Sequence, residues 1–367
     1  MHTCHNPLHC FLPPHVLDRL LNADDPEIRD LTVEAIKHSA AARTMRFTLS
    51  TMSIMAAIPS PAGTKNRLVY DMENIGLMQL LPGKLVLSEG DDISSITDEA
   101  VKEAYNYSGI VYDFYQEVFQ RNSLDDRGMS LISSVHFGRR YNNAFWDGEQ
   151  MVYGDGDGSI FLRFTKALDV VAHELTHGVV QFTSNLEYRD EPGALNEHFA
   201  DAMSALVKQK HLNQDVHNAD WLMGDGIMGP GVQAKCLRTF KAEKAFQNDP
   251  LLGTDPQPKH IREKYIGSKD NGGVHINSGI PNHAFYLVAM ELGGQSWQRV
   301  GPIWYQTLKA LSRNSNFQDA AAMTYQVAGT LFGNNSTEQK AVKKAWDAVG
   351  ISVEAGMGRE LLHLATA

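Results

Sequence analysis

The chain has 367 residues, of which 43% are apolar and 21% are charged, and its formal net charge is −10. This length exceeds one typical hydrophobic core, so we expect two domains and a tail in a globular protein of ordinary composition. The negative charge, without a basic stripe carrying interleaved aromatic residues, argues against a nucleic-acid partner. The lack of an 18-residue apolar run argues against a membrane-spanning helix.

Residues 1–50 are predicted to form a short leader. Apolar residues recur there at helical spacing, over residues 17–21 and 28–36, which predicts helical structure. The N-terminus lacks the basic region and the unbroken apolar region of a secretory signal, so we expect synthesis in the cytoplasm and export by a non-classical route. The fold is not expected to depend on disulfides, because the chain has only three cysteines, Cys4, Cys10 and Cys236.

The leader is followed by a linker and then by a β-rich region. Residues 48–66 are small, rich in Ser, Thr, Ala and Pro, and without periodicity, so residues 51–66 are assigned as a linker that carries the maturation cleavage. Residues 67–167 hold strand-like runs separated by Pro-Gly, Asp-Gly and Gly-Asp turn signals, which predict a β-rich domain. One helix is predicted to interrupt it, at roughly residues 97–121.

Helical patterns dominate from residue 168 to residue 367. One helix is predicted to begin at Pro281 and to stop at Gly293 and Gly294. Another is predicted to begin at Ser336, with Gln339 three residues on as a capping box. The chain is therefore predicted to be of the α+β class, with a β-rich N-terminal half, a central helix and an α-helical C-terminal half.

The central helix is the stretch VVAHELTHGVVQ, residues 170–181, and it carries His173, Glu174 and His177. Burying such groups without partners costs free energy, and burying the carboxylate costs most. The two histidines are four residues apart, so their imidazoles project from one helix face and can reach one ion at about 2.0–2.1 Å. His-Glu-x-x-His is the zinc-peptidase arrangement, with Glu174 as general base. The alternative is a pair of satisfied core histidines.

A second helix, GALNEHFADAMSALV at residues 193–207, is predicted to supply the third ligand. Glu197 and Asp201 lie four residues apart on one of its faces. A catalytic zinc is typically bound by three protein ligands and keeps one open position. Glu197 is assigned as that ligand, while Asn196 and Asp201 are assigned to hold ring N–H groups of the ligating histidines. The alternative is a solvated carboxylate pair. His198 points about 100° away and is expected at the surface or in packing.

A third stretch, SKDNGGVHINSGIPNHAFY at residues 268–286, places His275 in a glycine-rich loop just before a helix. Asp270, five residues earlier, can orient the ring, and a histidine cation is what a developing oxyanion needs. Tyr188 and Arg238 are further candidate donors. Each of these residues can equally be structural.

The chain resembles the thermolysin family of zinc endopeptidases over roughly residues 67–350. The matching segments are RYNNAFWDGEQMVYGDGDG, DVVAHELTHGVVQFTSNLEY, GALNEHFAD, NGGVHINSGI and SNFQDAAAM…AVKKAWDAVGI. The resemblance implies a thermolysin-like two-domain fold, one zinc ion per chain and hydrolysis of peptide bonds by a metal-activated water. The residues already assigned to the metal and to general-base catalysis fall on the family's zinc ligands and base.

The resemblance also implies roles in substrate binding. His275, oriented by Asp270, and Tyr188 resemble the donors to the transition-state oxyanion, and Arg238 resembles the arginine that binds a substrate carbonyl. The positions in NNAFW that look like the edge strand pairing with the substrate backbone are Asn143 and Ala144. The positions where the family lines an apolar pocket for the residue after the scissile bond are Phe161, Phe164, Val170 and Leu237.

The leader is similar to that of the protealysin-like subgroup. The motif Pro-Pro-His-Val-Leu at residues 13–17 implies a short propeptide that covers the active site as an intramolecular inhibitor and is then cut off. Residues 11–17 are expected to lie extended across the cleft, because prolines favour an extended form and lack N–H donors. The stretch CHNPLHC at residues 4–10 can also offer zinc a thiolate or an imidazole.

The family's double calcium site is doubtful in this chain. Asp169, Asp220 and Asp225 stand at positions of its calcium-binding carboxylates, but Lys208 occupies the central carboxylate position and Leu222 another. An ammonium group cannot ligate Ca²⁺, although it can replace the ion's charge by pairing with Asp169 or Asp220. We therefore expect a reduced calcium site.

The sequence favours a zinc-dependent neutral endopeptidase, made as a zymogen, that acts on protein and peptide substrates. One rival is a zinc-stabilised binding protein without catalysis, which is expected to lack Glu174 or His275, and both are present. Another rival is a metallohydrolase acting on non-peptide esters. The strand-like NNAFW motif disfavours it, because a strand edge binds extended peptide backbone.

Overall fold

The computed structural model describes residues 9–51 and 64–354, with side chains described for residues 10–40 and 64–354. Cys4 and most of the predicted linker lie outside the described residues. The chain divides into two compact units. The first comprises Met1–Phe182, Leu222–Arg238 and Ala245–Asp255, and the second comprises Thr183–Trp221, Thr239–Lys244 and Pro256–Ala367.

The first unit is built on a six-stranded mixed sheet. Its strands are β1 (His9–Cys10), β2 (Arg67–Asp71), β3 (Lys84–Ser88), β4 (Leu131–Val135), β5 (Ala144–Trp146) and β6 (Met151–Tyr153). Their spatial order is β1-β5-β6-β4-β2-β3. The pairs β2–β4 and β4–β6 are parallel, while β2–β3, β5–β6 and β1–β5 are antiparallel. The strand-like runs of the sequence thus form one sheet, to which the leader adds the outermost strand.

The leader continues into two helices, α1 (Pro14–Leu20) and α2 (Pro26–Thr51). The expectation of an extended segment over residues 11–17 is wrong beyond Pro13, because Pro14 begins α1. Proline is favoured at the first helical position, where its missing N–H is not needed. Helix α2 also extends well past residue 36. Alanine-rich sequence favours a helix there without apolar periodicity.

Two further helices of the first unit are α3 (Glu99–Phe119) and α4 (Leu168–Gln181). Helix α3 falls within the predicted range and is capped at its N-terminus by Asp98, whose side chain accepts from the N–H groups of Ala100 and Val101. The Tyr115 and Thr176 hydroxyls are 2.9 Å apart and join α3 to α4. Helix α4 is therefore held in a buried position, as its apolar sequence predicts.

The second unit is helical. Its helices are α5 (Asp190–His211), α6 (Asp270–Asn277), α7 (Gly279–Leu292), α8 (Ser296–Ala310), α9 (Phe317–Phe332) and α10 (Thr337–Ala348). Helix α7 begins at Gly279 rather than at the predicted Pro281, and it ends at Leu292 with Gly293 as its C-cap, as predicted. At α10 the Ser336 side chain accepts from Gln339 N, whereas the Gln339 side chain accepts from Asn335 N, so only half of the predicted capping box forms. Within the described ranges, no helix is long and apolar enough to cross a membrane.

Candidate metal centre and active site

Helix α4 places His173 and His177 one turn apart, both fully buried. Their Nε2 atoms are 3.1 Å apart. Two nitrogens bound to one tetrahedral zinc at about 2.05 Å lie roughly 3.3 Å from each other, so the pair fits a shared ion. Glu197, which the sequence analysis assigned as the third ligand, is buried on α5 of the second unit. Two imidazoles and a carboxylate are a donor set that zinc takes in catalytic sites.

Strand β5 holds the glutamate of the same helix. The backbone N–H of Trp146 donates to Glu174 Oε2 at 3.1 Å, and its indole Nε1 donates to Gln181 Oε1 at 3.0 Å. Gly178 permits this close approach, because a Cβ there would lie 3.2 Å from Trp146 Cζ2 and 2.9 Å from Leu124 Cδ1. One oxygen of the Glu174 carboxylate is thereby oriented by the backbone of β5.

Tyr188, Glu197 and His275 form a buried cluster in the second unit. The Tyr188 hydroxyl donates to Glu197 Oε1 and lies 3.2 Å from His275 Nε2. His275 Nε2 is 3.6 Å from the same carboxylate oxygen. The two donors proposed for an oxyanion are therefore adjacent to the carboxylate assigned to the metal.

Asp270 fixes His275 through both of its oxygens. Oδ1 is 2.6 Å from His275 Nδ1, and Oδ2 accepts from His275 N at 2.9 Å. The ring lies within α6 rather than in the predicted loop. Asn271, Gly272 and Gly273 just before it have positive φ values of 51°, 87° and 83°, a backbone that glycine adopts readily. This turn allows the Asp270 carboxylate to contact the ring of His275, which follows five residues later in the chain.

The residues assigned beside the metal ligands lie on α5. Asn196 Nδ2 donates to Leu186 O at 3.3 Å, and Asp201 Oδ2 accepts from Asn282 Nδ2 at 2.9 Å. His198 is packed in the interior, 1% exposed. Burial lowers the pKa of His198 to about 4, so its imidazole is neutral at pH 7.

The leader lies on the strand edge assigned to the substrate. Residues His9 and Cys10 pair with Trp146 and Phe145 in antiparallel register. Phe11 N donates to Ala144 O at 3.1 Å, and Leu12 N donates to Asn143 Oδ1 at 2.9 Å. The edge positions Asn143 and Ala144 thus bind extended backbone.

Phe11 has further contacts with assigned site residues. Arg238 Nη1 donates to Phe11 O at 3.0 Å, and its guanidinium carbon lies 4.5 Å from the ring centroid. The ring packs edge-on against His173, with 5.2 Å between centroids. Cys10 is not part of the group of described residues that can hold a metal.

The four pocket residues are all buried in the first unit: Phe161, Phe164, Val170 and Leu237. Phe161 and Phe164 have ring centroids 6.0 Å apart. Gly224 lies beside the pocket, where a Cβ would be 3.0 Å from the Phe11 ring and 3.3 Å from Leu237 Cδ1. The Phe11 side chain therefore lies close to the wall assigned to bind substrate.

Two of the three carboxylates assigned to the reduced calcium site, Asp169 and Asp220, have protein partners. Lys208 Nζ is 3.0 Å from Asp220 Oδ2, one of the two pairings expected for it. Asp169 is buried, and its oxygens accept from Val170 N at 3.0 Å and Gly224 N at 2.8 Å. Asp225 begins a short 3-10 helix, Asp225–Ile227.

Two contributors were not found by sequence reasoning. Trp146 lies inside the NNAFW motif, but its bond to Glu174 joins positions 28 residues apart and has no local signal. The His198 contacts likewise come from distant helices. The signal available for His198 was its place between Glu197 and Asp201 on an apolar helix.

The chain matches two family descriptions, "Thermolysin metallopeptidase, catalytic domain" over residues 58–181 and "Thermolysin metallopeptidase, alpha-helical domain" over residues 184–351. It is 45% identical over 354 residues to an extracellular metalloprotease of Pectobacterium carotovorum subsp. carotovorum, covering 95% of this chain and 97% of that protein. It is 41% identical over 290 residues to a thermolysin of Alicyclobacillus acidocaldarius subsp. acidocaldarius, covering 77% of this chain and 50% of that protein.

A solved structure is also similar. The precursor of protealysin, a metalloproteinase from Serratia proteamaculans, has a TM-score of 0.84 and 43% identity, covering 94% of this chain and all of that chain.

Proposed function

The chain belongs to the thermolysin family of metallopeptidases, and from this membership we propose which of its residues carry the reaction. It is a zinc neutral endopeptidase with a propeptide. We propose that one zinc ion per chain is held by His173, His177 and Glu197. The observation that carries this proposal is the pair of buried imidazole Nε2 atoms 3.1 Å apart on one helix.

Glu174 is the proposed general base. A zinc ion bound beside it would polarise the scissile carbonyl and make the attacking water more acidic. Glu174 takes the proton of that water and later delivers it to the leaving amine. The Trp146 N–H at 3.1 Å from Oε2 holds the carboxylate in place. Asn196 and Asp201 are proposed to orient the ligating histidines.

His275 and Tyr188 are the proposed donors to the oxyanion of the tetrahedral transition state. Asp270 Oδ1 lies 2.6 Å from His275 Nδ1 and orients the ring, so that Nε2 is the nitrogen proposed to donate to the substrate oxygen. Donors held in advance lose little free energy to reorganisation when charge develops.

We propose that the leader inhibits by occupying the substrate's place. This proposal is supported by the hydrogen bonds that Phe11 and Leu12 make with Ala144, Asn143 and Arg238. Strand addition provides backbone hydrogen bonds, and the buried ring of Phe11 provides apolar contact. The chain turns helical at Pro14, so it leaves the cleft without continuing an extended substrate-like path.

We also propose how the chain divides into a propeptide, a linker and two catalytic parts. Residues 1–50 are the inhibitory propeptide, residues 51–66 the linker that is cut, and residues 67–167 and 168–367 the two catalytic parts. Its relative in Pectobacterium is described as extracellular, and we propose that this protein also acts outside the cell. Casein hydrolysis with and without a zinc chelator tests the activity, and sequencing of the mature N-terminus identifies the bond that is cut.

Cleavage is expected to favour Leu, Phe, Ile or Val after the scissile bond, because the four pocket residues are apolar and buried. Replacing Phe164 by Leu enlarges the pocket and should raise the preference for Phe over Leu by about tenfold in kcat/KM, the effect of a small volume change in an apolar pocket. A peptide-library profile measures both. Phe137→Leu, which shortens an equally buried ring elsewhere, is the control. A profile led by charged residues contradicts the pocket assignment.

Stability is expected to depend little on calcium, because Lys208 pairs with Asp220 at 3.0 Å. With zinc held constant, removing calcium should change Tm by no more than about 2–4 °C, the effect of about 1 kcal/mol in a domain of this size. Lys208→Glu restores a carboxylate and should lower Tm without calcium but recover it when calcium is added. A collapse of the unsubstituted protein without calcium would mean that Asp169, Asp220 and Asp225 still hold an essential ion.

A further inference from the structure

Four buried side chains of the second unit form a row that ends on Asp201. Trp304 Nε1 lies 2.7 Å from His198 Nε2, and His198 Nδ1 lies 2.7 Å from Asn282 Oδ1. Asn282 Nδ2 lies 2.9 Å from Asp201 Oδ2. All four residues are at most 1% exposed, so solvent does not compete for these bonds.

Chemistry fixes the direction of every bond in this row. An indole N–H can only donate, so His198 Nε2 must accept. The neutral imidazole then carries its proton on Nδ1, which donates to Asn282 Oδ1. Because the Asn282 Oδ1 atom accepts from His198, the Asn282 Nδ2 group faces Asp201 and donates to it. The group that the row places against the Asp201 carboxylate is therefore always a hydrogen-bond donor, the Asn282 amide.

We propose that Trp304, His198 and Asn282 are positioning residues for the metal centre, acting by fixing the orientation of Asp201. The inference rests on the proposed function, in which Asp201 orients a histidine that binds zinc. The row joins three helices, since Trp304 lies on α8, Asn282 on α7, and His198 and Asp201 on α5. It couples the direction of one carboxylate to the packing of the helical unit.

Asn282→Asp reverses the last bond while keeping the shape of the side chain. A carboxylate at this position cannot donate to Asp201 and repels it. Loss of a group that supports a metal ligand typically weakens metal binding 10–100-fold, so we expect zinc affinity to fall at least about tenfold. Zinc affinity is measured by competition with a chromophoric chelator, and the Tm of the zinc-free protein is measured alongside.

Trp304→Phe removes the donor at the other end of the row and keeps an aromatic ring. We expect a smaller loss of zinc affinity, because the Asn282 amide can still donate to Asp201 when His198 Nε2 has lost the indole donor. The matched control is Trp346→Phe, which removes a buried indole donor to Thr324 Oγ1 at 2.7 Å in the same unit. It should lower Tm comparably and leave zinc affinity unchanged.

Zinc affinity is the readout that a merely structural role would not move, and nitrogen NMR of the zinc-free protein tests the directions of the hydrogen bonds in the row. His198 should show the proton on Nδ1 in the unsubstituted chain, because Nε2 accepts from the Trp304 indole. The inference is overturned if the unsubstituted chain carries the proton on Nε2, or if Asn282→Asp binds zinc within twofold of the unsubstituted chain. Zinc binding that survives in His173→Ala would instead overturn the proposed metal centre and the inference with it.

Discussion

Replacing Glu174 by Ala should abolish peptide hydrolysis while one zinc remains bound per chain. The carboxylate is the proposed proton acceptor and is not one of the three ligands, so the metal site should survive its loss. General-base catalysis typically raises the rate by about 10²–10⁴-fold, so kcat should fall by at least about 10²-fold. The precursor should also keep its leader if maturation is autocatalytic. Metal analysis, peptide hydrolysis and the mass of the purified chain measure these results.

Two controls separate the base from the ligands. Glu174→Gln keeps the size of the side chain but cannot take the proton, and it should be as inactive as Glu174→Ala with zinc retained. His177→Ala should lose both zinc and activity. If Glu174→Ala loses its zinc along with its activity, the assignment of Glu174 as base rather than ligand is wrong.

A leader peptide of residues 1–50 should inhibit the mature enzyme, and Phe11→Ala should weaken that inhibition strongly. Phe11 is fully buried, its ring packs against His173, and its carbonyl accepts from Arg238. Buried aromatic anchors at an interface typically contribute about 2–4 kcal/mol. The inhibition constant should therefore rise by roughly 30-fold to 1000-fold. Hydrolysis of a fluorogenic peptide at increasing leader concentrations measures it.

Val33→Ala is the matched control, since Val33 is an apolar leader residue that is 38% exposed. It should change the inhibition constant less than about threefold. Arg238→Ala should weaken both inhibition and substrate binding, because the same guanidinium serves both. Equal inhibition by the Phe11→Ala peptide and the unsubstituted peptide would show that the leader inhibits from another surface.

The spacing of His173, Glu174 and His177 predicted that the two imidazoles lie one turn apart on α4, because periodicity along one helix is local information. The α+β class and the strand-rich N-terminal half were likewise predicted and are confirmed by the sheet and by family membership. Helix ends at Gly293 and Ser336 were predictable for the same reason, since caps depend on neighbouring residues.

Pairings between distant segments could not be predicted in this way. Strand β1 has only two residues, which is too short to show alternating apolar and polar residues. The local sequence therefore does not predict that it pairs with β5. The start of α1 at Pro14 was missed, because a proline pair suits both an extended segment and a first helical turn. The partners of His198 come from α7 and α8, and only the fold brings them together.

Titration of zinc-free mature enzyme with Zn²⁺ tests the central claim most directly. Metal content and peptide hydrolysis are measured on the same samples, with His177→Ala as the variant lacking one ligand. Activity should be absent without zinc and rise linearly to a sharp break at one zinc per chain, while His177→Ala should stay inactive throughout. Hydrolysis that persists in protein free of zinc, or full activity in His177→Ala, would contradict the assignment of His173, His177 and Glu197 as the metal centre.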